Sequence, residues 1–125
     1  PIESLSTLKN NYAIHAEAMK DAGLTSPKIV PVMRSIFVSD NIKETAILKE
    51  KLSERTKKAH VNENEPVDDW AIVGCASEVA EKIEYYIEQL GMTHLIATRL
   101  RVSGIDTKSL KASVTSLAEL RLKWH

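Results

Sequence analysis

Two arginines near the end of an apolar segment are the side chains best suited by type to bind a small anion. Arg99 and Arg101 lie at the end of the segment from Thr93 to Leu100, whose apolar and β-branched residues predict a buried strand. Side chains alternate along a strand, so both arginines would point to the same side. A guanidinium can form two parallel hydrogen bonds to a carboxylate or a phosphate. We therefore predict that Arg99 and Arg101 bind an anionic group, with acidic surface residues or solvent as their alternative partners.

A third arginine, Arg34, interrupts the apolar stretch from Ile29 to Ser39. That stretch is short, rich in β-branched residues and bounded by turn residues, so it predicts a strand that begins after Pro31. A near-continuous apolar run is typical of a strand that is buried on both faces of a parallel sheet. Burial of an arginine is costly unless its charge is paired. We therefore expect a partner carboxylate for Arg34, and a contact with a ligand is the less favoured role.

The segment from Gly74 to Ser77 precedes the clearest amphipathic helix of the chain, which we predict from Ser77 to Leu90. Free backbone amides at a helix N-terminus can bind phosphate. One glycine and one serine do not require that role, and we favour Ser77 as an ordinary N-cap. The same helix start would favour the thiolate form of Cys75, but a small buried residue is the preferred interpretation of this cysteine.

Motifs for metal binding and nucleophilic catalysis are missing from the sequence. The four histidines, His15, His60, His94 and His125, are scattered without metal-site spacing. The acidic loop around His60 is interpreted as solvated rather than as a ligand set. The sequence holds no Gly-x-Gly-x-x-Gly, no Walker loop and no Gly-x-Ser-x-Gly. We therefore predict no metal site and assign no catalytic residue.

Helical periodicity and turn residues place the elements that must position these side chains. A first helix is predicted from Leu5 to Ala22, and a second from Ile42 to Ala59 with Asp40 as its N-cap. The polar segment His60–Asp69 is predicted to be a surface loop. The short apolar segment Trp70–Gly74 is not predicted to be a strand. Asp106 is expected to cap a last helix. The apolar positions of that helix are Leu110, Val114, Leu117 and Leu120.

The predicted order is helix, strand, helix, loop, helix, strand, helix. Strands that alternate with amphipathic helices indicate a parallel α/β arrangement with right-handed crossovers. Two strands do not make a stable sheet by themselves. The chain is therefore expected either to associate with another copy or to lack partner strands.

Length and composition exclude several classes of protein. The chain has 125 residues, enough for one domain but few for a complete (β/α)-barrel. Its 17 basic and 17 acidic residues cancel, which argues against a nucleic-acid or anionic-membrane partner. A single cysteine excludes an internal disulfide and fits a reducing cytoplasm, and no apolar run approaches the length of a membrane span. The chain opens with Pro1 rather than methionine, which suggests a piece of a longer protein.

Four segments of the chain, in order, resemble the luciferase-like flavin-dependent monooxygenases. Val32–Val38 resembles the seventh barrel strand of that family, and Ile72–Ile83 resembles its recurring Val-Gly-Ser-Pro-Glu-x-Val-Ala-Glu-Lys segment. Leu90–Ile96 is similar to the family's entry into the eighth strand, and Arg99–Gly104 to the Arg-Leu-Gln-x-Pro-Gly that follows it. The departures from the pattern are Cys75 and Ala76 for Ser-Pro, Arg101 for Gln, and Ser103 for Pro.

This resemblance implies both a fold and a function. Members of the family fold as (β/α)8 TIM barrels, bind reduced flavin (FMN) or a deazaflavin, and oxidise small organic substrates. The chain would be the C-terminal portion of such a barrel, a single α/β domain over residues 1–125. Arg99 and Arg101 would then contact the flavin, because barrel active sites lie at the carboxyl ends of the strands. Most of the family's flavin-binding and catalytic groups would lie upstream, so we expect the chain alone to be inactive and to bind no cofactor tightly.

A second hypothesis is a non-catalytic α/β module that derives from such a barrel and acts by self-association. Two predicted strands are too few for a sheet, and unpaired strand edges tend to pair with another chain. We therefore expect a homo-oligomer.

Overall fold

The computed structural model describes residues 3–25, 29–58, 66–98, 100, 102 and 104–124. Within these residues, helices and strands alternate, as the sequence predicts. The helices are α1 (Leu5–Asp21), α2 (Ile42–Lys58), α3 (Ala76–Leu90) and α4 (Thr107–Leu120), and the strands are β1 (Pro31–Val38), β2 (Ala71–Gly74) and β3 (His94–Thr98). Single turns of 3-10 helix follow at Val67–Asp69 and Arg121–Trp124. None of the described helices is both long and apolar enough to cross a membrane.

The strands form one parallel sheet in the order β2-β1-β3. The two predicted strands, β1 and β3, are confirmed and are direct neighbours. The prediction of only two strands was wrong, because β2 pairs with the other edge of β1 as a third strand. All four residues of β2 are buried. So short an apolar run carries no periodicity that would separate a strand from another buried segment.

The helix starts agree with the predicted capping chemistry in part. Asp106 caps α4 as predicted, because its Oδ1 accepts a hydrogen bond from the backbone N–H of Ser109 at 2.7 Å. At α2 the capping side chain is Asn41 rather than the predicted Asp40. The Oδ1 atom of Asn41 accepts from the backbone N–H of Glu44 at 3.2 Å. Aspartate and asparagine are comparable N-caps, so residue type could not decide between these neighbours.

Helices cover the two faces of the sheet unevenly. The face that α1 and α3 cover has a core of Val32, Ile36, Val38, Ile72, Val79, Ala80, Ile83 and Tyr86, together with Met92 and Leu120. The opposite face has a core of Phe37, Leu48, Leu52, Val67, Trp70, Ala71 and Val73. This second core covers β2 and the carboxyl end of β1. No described helix covers the rest of the second face, where the register neighbours Met33 and Ile96 are 48% and 43% exposed.

Helix α4 buries a different row of residues from the one that the sequence predicts. Val114 was expected on the apolar face but is 68% exposed, whereas Ser113 is buried. The row that faces the core contains Leu110, Ser113, Leu117 and Leu120. Their spacing of three and four residues is as regular as that of the predicted row. Ser113 is the polar residue in this row, and it is buried because its hydroxyl has a specific hydrogen-bond partner.

That partner is the end of β1. The hydroxyl of Ser113 accepts a hydrogen bond from the backbone N–H of Val38 at 2.8 Å in a buried environment. β3 pairs with β1 only as far as Ser35, so it does not reach Val38. The serine thus takes the place of a strand partner and fixes α4 to the carboxyl end of β1.

We expect Ser113→Ala to lower the free energy of unfolding by about 1 to 2 kcal/mol, because it leaves a buried backbone N–H without its acceptor. The higher helix propensity of alanine offsets only part of this loss. Urea denaturation checks the value, with Ser116→Ala on the same helix as the matched control. Equal losses in the two variants would contradict the role given to Ser113.

Candidate functional site

The carboxyl ends of the parallel strands meet at one edge of the sheet, where α/β proteins place their ligands. β1 and β2 end side by side, since Val38 is in register with Gly74. The backbone N–H of Ser39 donates to the Gly74 carbonyl at 3.0 Å and continues this pairing beyond the strand. β3 ends lower on the sheet, where the hydroxyls of Thr98 and Ser35 lie 3.3 Å apart. We call this the carboxyl edge of the sheet.

The predicted ligand-binding arginines, Arg99 and Arg101, lie outside the described residues. Their role as anion-binding side chains therefore stays a prediction. Of the same segment, the described residues Leu100 and Val102 pack against the core of the second face. Further along, the amine of Lys51 on α2 lies against Gly104. Gly104 has a φ of 89°, a conformation that side-chain-bearing residues rarely adopt. Lys51 is a cation beside the segment that follows β3, and sequence spacing does not indicate this contact.

The start of α3 corrects two of the predictions. Cys75, not Ser77, occupies the N-cap position, and α3 begins at Ala76. Cys75 is only half-buried, so its interpretation as a buried core residue was wrong. Its backbone N–H donates to Oε1 of Glu78 at 3.2 Å, and its Sγ lies 3.2 Å from Oγ of Ser77. The sequence carries the signal for this arrangement, because a Glu three residues after the cap completes a capping box.

Gly74 gives Glu78 the space to fold back onto the helix start. A Cβ at Gly74 would lie 3.1 to 3.2 Å from the Glu78 side chain, closer than ordinary contact. Hydrogen bonds from the Cys75 side chain and backbone hold the pKa of Glu78 below its ordinary value. A carboxylate thus neutralises the positive end of α3.

This start of α3 does not suit the phosphate of a flavin. A bound phosphate would have to compete with the Glu78 carboxylate for the Cys75 N–H, and two anions at one helix end repel each other. The prediction that Ser77 is the N-cap is wrong, because Cys75 occupies that position.

The capping box predicts a pH dependence of stability. A carboxyl group with a lowered folded-state pKa stabilises the fold above its ordinary pKa of 4.5, and this contribution is lost as the pH falls through the folded-state value. Glu78→Gln should therefore show a smaller loss of unfolding free energy between pH 7 and pH 3 than the unmodified chain. The difference should be at most about 1 kcal/mol, because Glu78 is exposed and solvent screens its charge.

Urea denaturation at the two pH values checks this difference. Glu81→Gln, one turn further along α3, is the control for loss of a carboxylate. The same reduction in both variants would show that general charge, and not the capping box, causes the pH dependence.

Arg34 has a neutral partner in the core. Its side chain is fully buried, and its Nε donates to the hydroxyl of Tyr86 at 2.8 Å. The guanidinium carbon also lies 5.3 Å from the centre of the Tyr86 ring, within range of a cation–π contact. The pKa of Glu3 is lowered, mainly by a hydrogen bond from its own backbone and to a smaller degree by the charge of Arg34. Arg34 points towards α3, on the sheet face that α1 and α3 cover. Its described contacts are with Tyr86 in the core and are therefore structural.

A polar cleft lies beside α3, and one of its two cavities reaches Glu78 at the start of that helix. Two adjoining cavities of about 530 and 440 Å³ share Asp68, Lys82 and Tyr85 as lining residues. The Lys82 amine donates to the Asp68 carbonyl, and Lys49 lies 3.2 Å from the Asp68 carboxylate. Burial lowers the pKa of Lys82, and the carboxylates of Asp68 and Asp69 offset part of this effect.

No sequence pattern indicates this cleft. Asp68 belongs to the predicted surface loop, but the described part of that loop contains a 3-10 turn with Val67 buried. Three lysines and four carboxylates line the two cavities, and this near balance of charge favours no particular class of ligand. Among the described residues, no group of three His, Cys, Asp or Glu side chains is placed to hold a metal ion. His94 is next to Thr93, whose Oγ1 lies 2.9 Å from Nδ1 of the imidazole.

Comparison with solved structures reveals a fold likeness to a monooxygenase. The chain superposes with a TM-score of 0.63 on the oxygenating constituent of 3,6-diketocamphane monooxygenase, a type II Baeyer-Villiger monooxygenase from the CAM plasmid of Pseudomonas putida, solved in complex with FMN. The match covers 93% of this chain at 21% sequence identity. The two proteins share a fold. No protein-family model and no curated protein sequence matches the chain.

The match covers nearly all of this chain but less than half of the monooxygenase chain. The chain spans 39% of the monooxygenase chain, so more than half of that protein has no counterpart here. What the two have in common is an α/β arrangement that includes a three-stranded parallel sheet and four helices in the described part of this chain.

Proposed function

We propose that the chain is the C-terminal part of a flavin-dependent oxidoreductase of the luciferase-like type, which acts on a small organic substrate. The observation that carries this proposal is the fold match to an FMN-bound monooxygenase over 93% of the chain. The sequence motifs quoted above support the same family independently of the structure. In this proposal β1 and β3 are neighbouring strands of a (β/α)8 barrel, as their parallel register allows.

The proposal assigns the redox chemistry to the assembled barrel rather than to this chain alone. Barrel enzymes build their active sites from loops at the carboxyl ends of all eight strands. Here the carboxyl edge has three strands, and the start of α3 is neutralised by Glu78. Bound FMN or a deazaflavin would supply the electron transfer. Arg99 and Arg101 would contribute positive charge towards the flavin or an anionic substrate.

The first experiment is the intact mass and the absorption spectrum of the native gene product, purified from its own cells. The chain of 125 residues has a mass of 13.9 kDa. A full barrel of about 250 residues or more would have at least about twice that mass, and we expect it to carry flavin absorbance or to bind added FMN or deazaflavin. A native product of 13.9 kDa without flavin affinity would overturn the proposal.

A titration of the isolated chain with FMN separates the two halves of the proposal. We expect no saturable binding at micromolar FMN, because the described edge lacks a complete phosphate site. Tight stoichiometric binding would contradict the view that the flavin site needs the remaining strands. The second candidate function, a self-associating module, would gain support if the native product had the mass of this chain.

A further inference from the structure

Lys82 on α3 lies where the two cavities of the polar cleft adjoin. It lines the cavity of about 530 Å³ and the neighbouring one of about 440 Å³. Sites for small molecules commonly have volumes of about 300 to 1,000 Å³, so each cavity is large enough for a small organic compound. Among the described residues, Lys82 is the one amine that both cavities share.

The amine of Lys82 has a neutral main-chain partner. It donates to the carbonyl of Asp68, in the single turn of 3-10 helix before β2. Lys49 on α2 differs in the same cleft, because its amine lies 3.2 Å from the Asp68 carboxylate. A carboxylate at this distance favours the charged ammonium, whereas a carbonyl also accepts from an uncharged amine. The cleft thus holds one lysine against a carboxylate and another against a neutral carbonyl.

Burial disfavours the positive charge of Lys82. Desolvation is the largest influence on its pKa, which is lowered from the ordinary value of 10.5. The carboxylates of Asp68 and Asp69 raise this pKa, and the charges of Lys49 and Arg34 lower it further. The other charged groups that line the cleft are Lys9 on α1 and Glu78 and Glu81 on α3. Desolvation of this kind activates a lysine amine as a nucleophile.

We propose that Lys82 is a site of covalent modification by small neutral aldehydes. The lone pair of Nζ attacks the carbonyl carbon and a C–N bond forms. The carbonyl oxygen then leaves as water with both amine protons, which gives an imine. No atom is oxidised or reduced, and no further reactant is needed. A neutral compound suits the cleft, because its lysines and carboxylates nearly balance and select no ion.

The first test is the labelling of the unmodified chain with propanal and sodium cyanoborohydride at about pH 7. Cyanoborohydride reduces the imine to a stable secondary amine, and mass spectrometry of peptides locates it. We expect Lys82 to be labelled at least about threefold faster than Lys111, an exposed lysine on α4. Lys49 is the control within the cleft and should also be labelled more slowly than Lys82.

Two further measurements separate the effect of the fold from that of local sequence. Denaturing urea removes the cleft, so Lys82 and Lys111 should then be labelled at similar rates. In the folded chain, Asp69→Asn removes a carboxylate that favours the charged amine, and it should raise the rate at Lys82 relative to Lys111. Glu119→Gln on α4 is the matched control and should leave this ratio unchanged.

The proposal is overturned if Lys82 in the folded chain is labelled no faster than Lys111. It is also overturned if the preference persists in urea, or if Asp69→Asn and Glu119→Gln act alike. Any of these results would leave Lys82 the structural role of fixing the turn at Asp68. The inference does not rest on the proposed flavin function, so each can fail without the other.

Discussion

Phe37→Ala is expected to lower the free energy of unfolding by about 3 to 5 kcal/mol, the usual cost of truncating a buried phenylalanine. Phe37 is fully buried at the carboxyl end of β1 and belongs to the same core as Leu48, Leu52 and Trp70. Removal of its ring leaves a cavity between the sheet and α2. Domains of this size have total stabilities of about 5 to 15 kcal/mol, so the variant should be close to unfolded or strongly destabilised.

Met33→Ala is the matched control for this experiment. Residues 33 and 37 project from the same face of β1, but Met33 is 48% exposed because no described helix covers it. We expect it to lose less than about 1 kcal/mol when the chain is monomeric. Urea denaturation at low protein concentration measures both variants without the contribution of a dimer. Similar losses would contradict the view that the second face is covered only at its carboxyl end.

The elements that could be predicted from sequence are those with strong local signals. α3 has a wide apolar stripe, a Glu at the third position after its cap, and Gly91 with a φ of 67° after its last turn. Each of these signals is local, and α3 lies where the prediction placed it, apart from its first residue. β2 has no local signal of this kind, since its pairing with β1 depends on residues more than 30 positions away.

In α4, the positions that sequence patterns assigned wrongly depend on a long-range partner. Ser113 is buried because the N–H of Val38 lacks a strand partner, and nothing in α4 itself indicates this. Val114, which fits an apolar row equally well, is exposed as a result.

The candidate site also contains some residues with local sequence signals and others whose partners are distant in sequence. The capping box lies within the short interval from Cys75 to Glu78, so the sequence around α3 is sufficient to predict it. Lys82 and Asp68 meet only because the chain returns along β2 into α3, which no spacing rule expresses. Arg99 and Arg101 were predicted from the strand pattern and the resemblance. They lie outside the described residues, so their role stays a prediction.

Tyr86→Phe is expected to destabilise the chain by about 1.5 to 3 kcal/mol, the range for a lost hydrogen bond to a charged group. The substitution keeps the ring and its cation–π contact with Arg34, but it removes the oxygen that accepts from the buried Nε. Tyr85→Phe is the natural control, since Tyr85 is the next residue and is 48% exposed. It should change stability by less than about 0.5 kcal/mol.

The pH dependence of the same pair of variants tests the cause. Burial raises the pKa of Tyr86 above 10.0, although the charge of Arg34 acts in the opposite direction. A phenol with a raised folded-state pKa stabilises the fold fully below its ordinary pKa, and this contribution is lost as the pH rises through the folded-state value. The unmodified chain and Tyr85→Phe should therefore lose stability above about pH 10 more steeply than Tyr86→Phe. Parallel alkaline profiles in all three proteins would mean that the Tyr86 hydroxyl is solvated, and that the burial of Arg34 depends on other contacts.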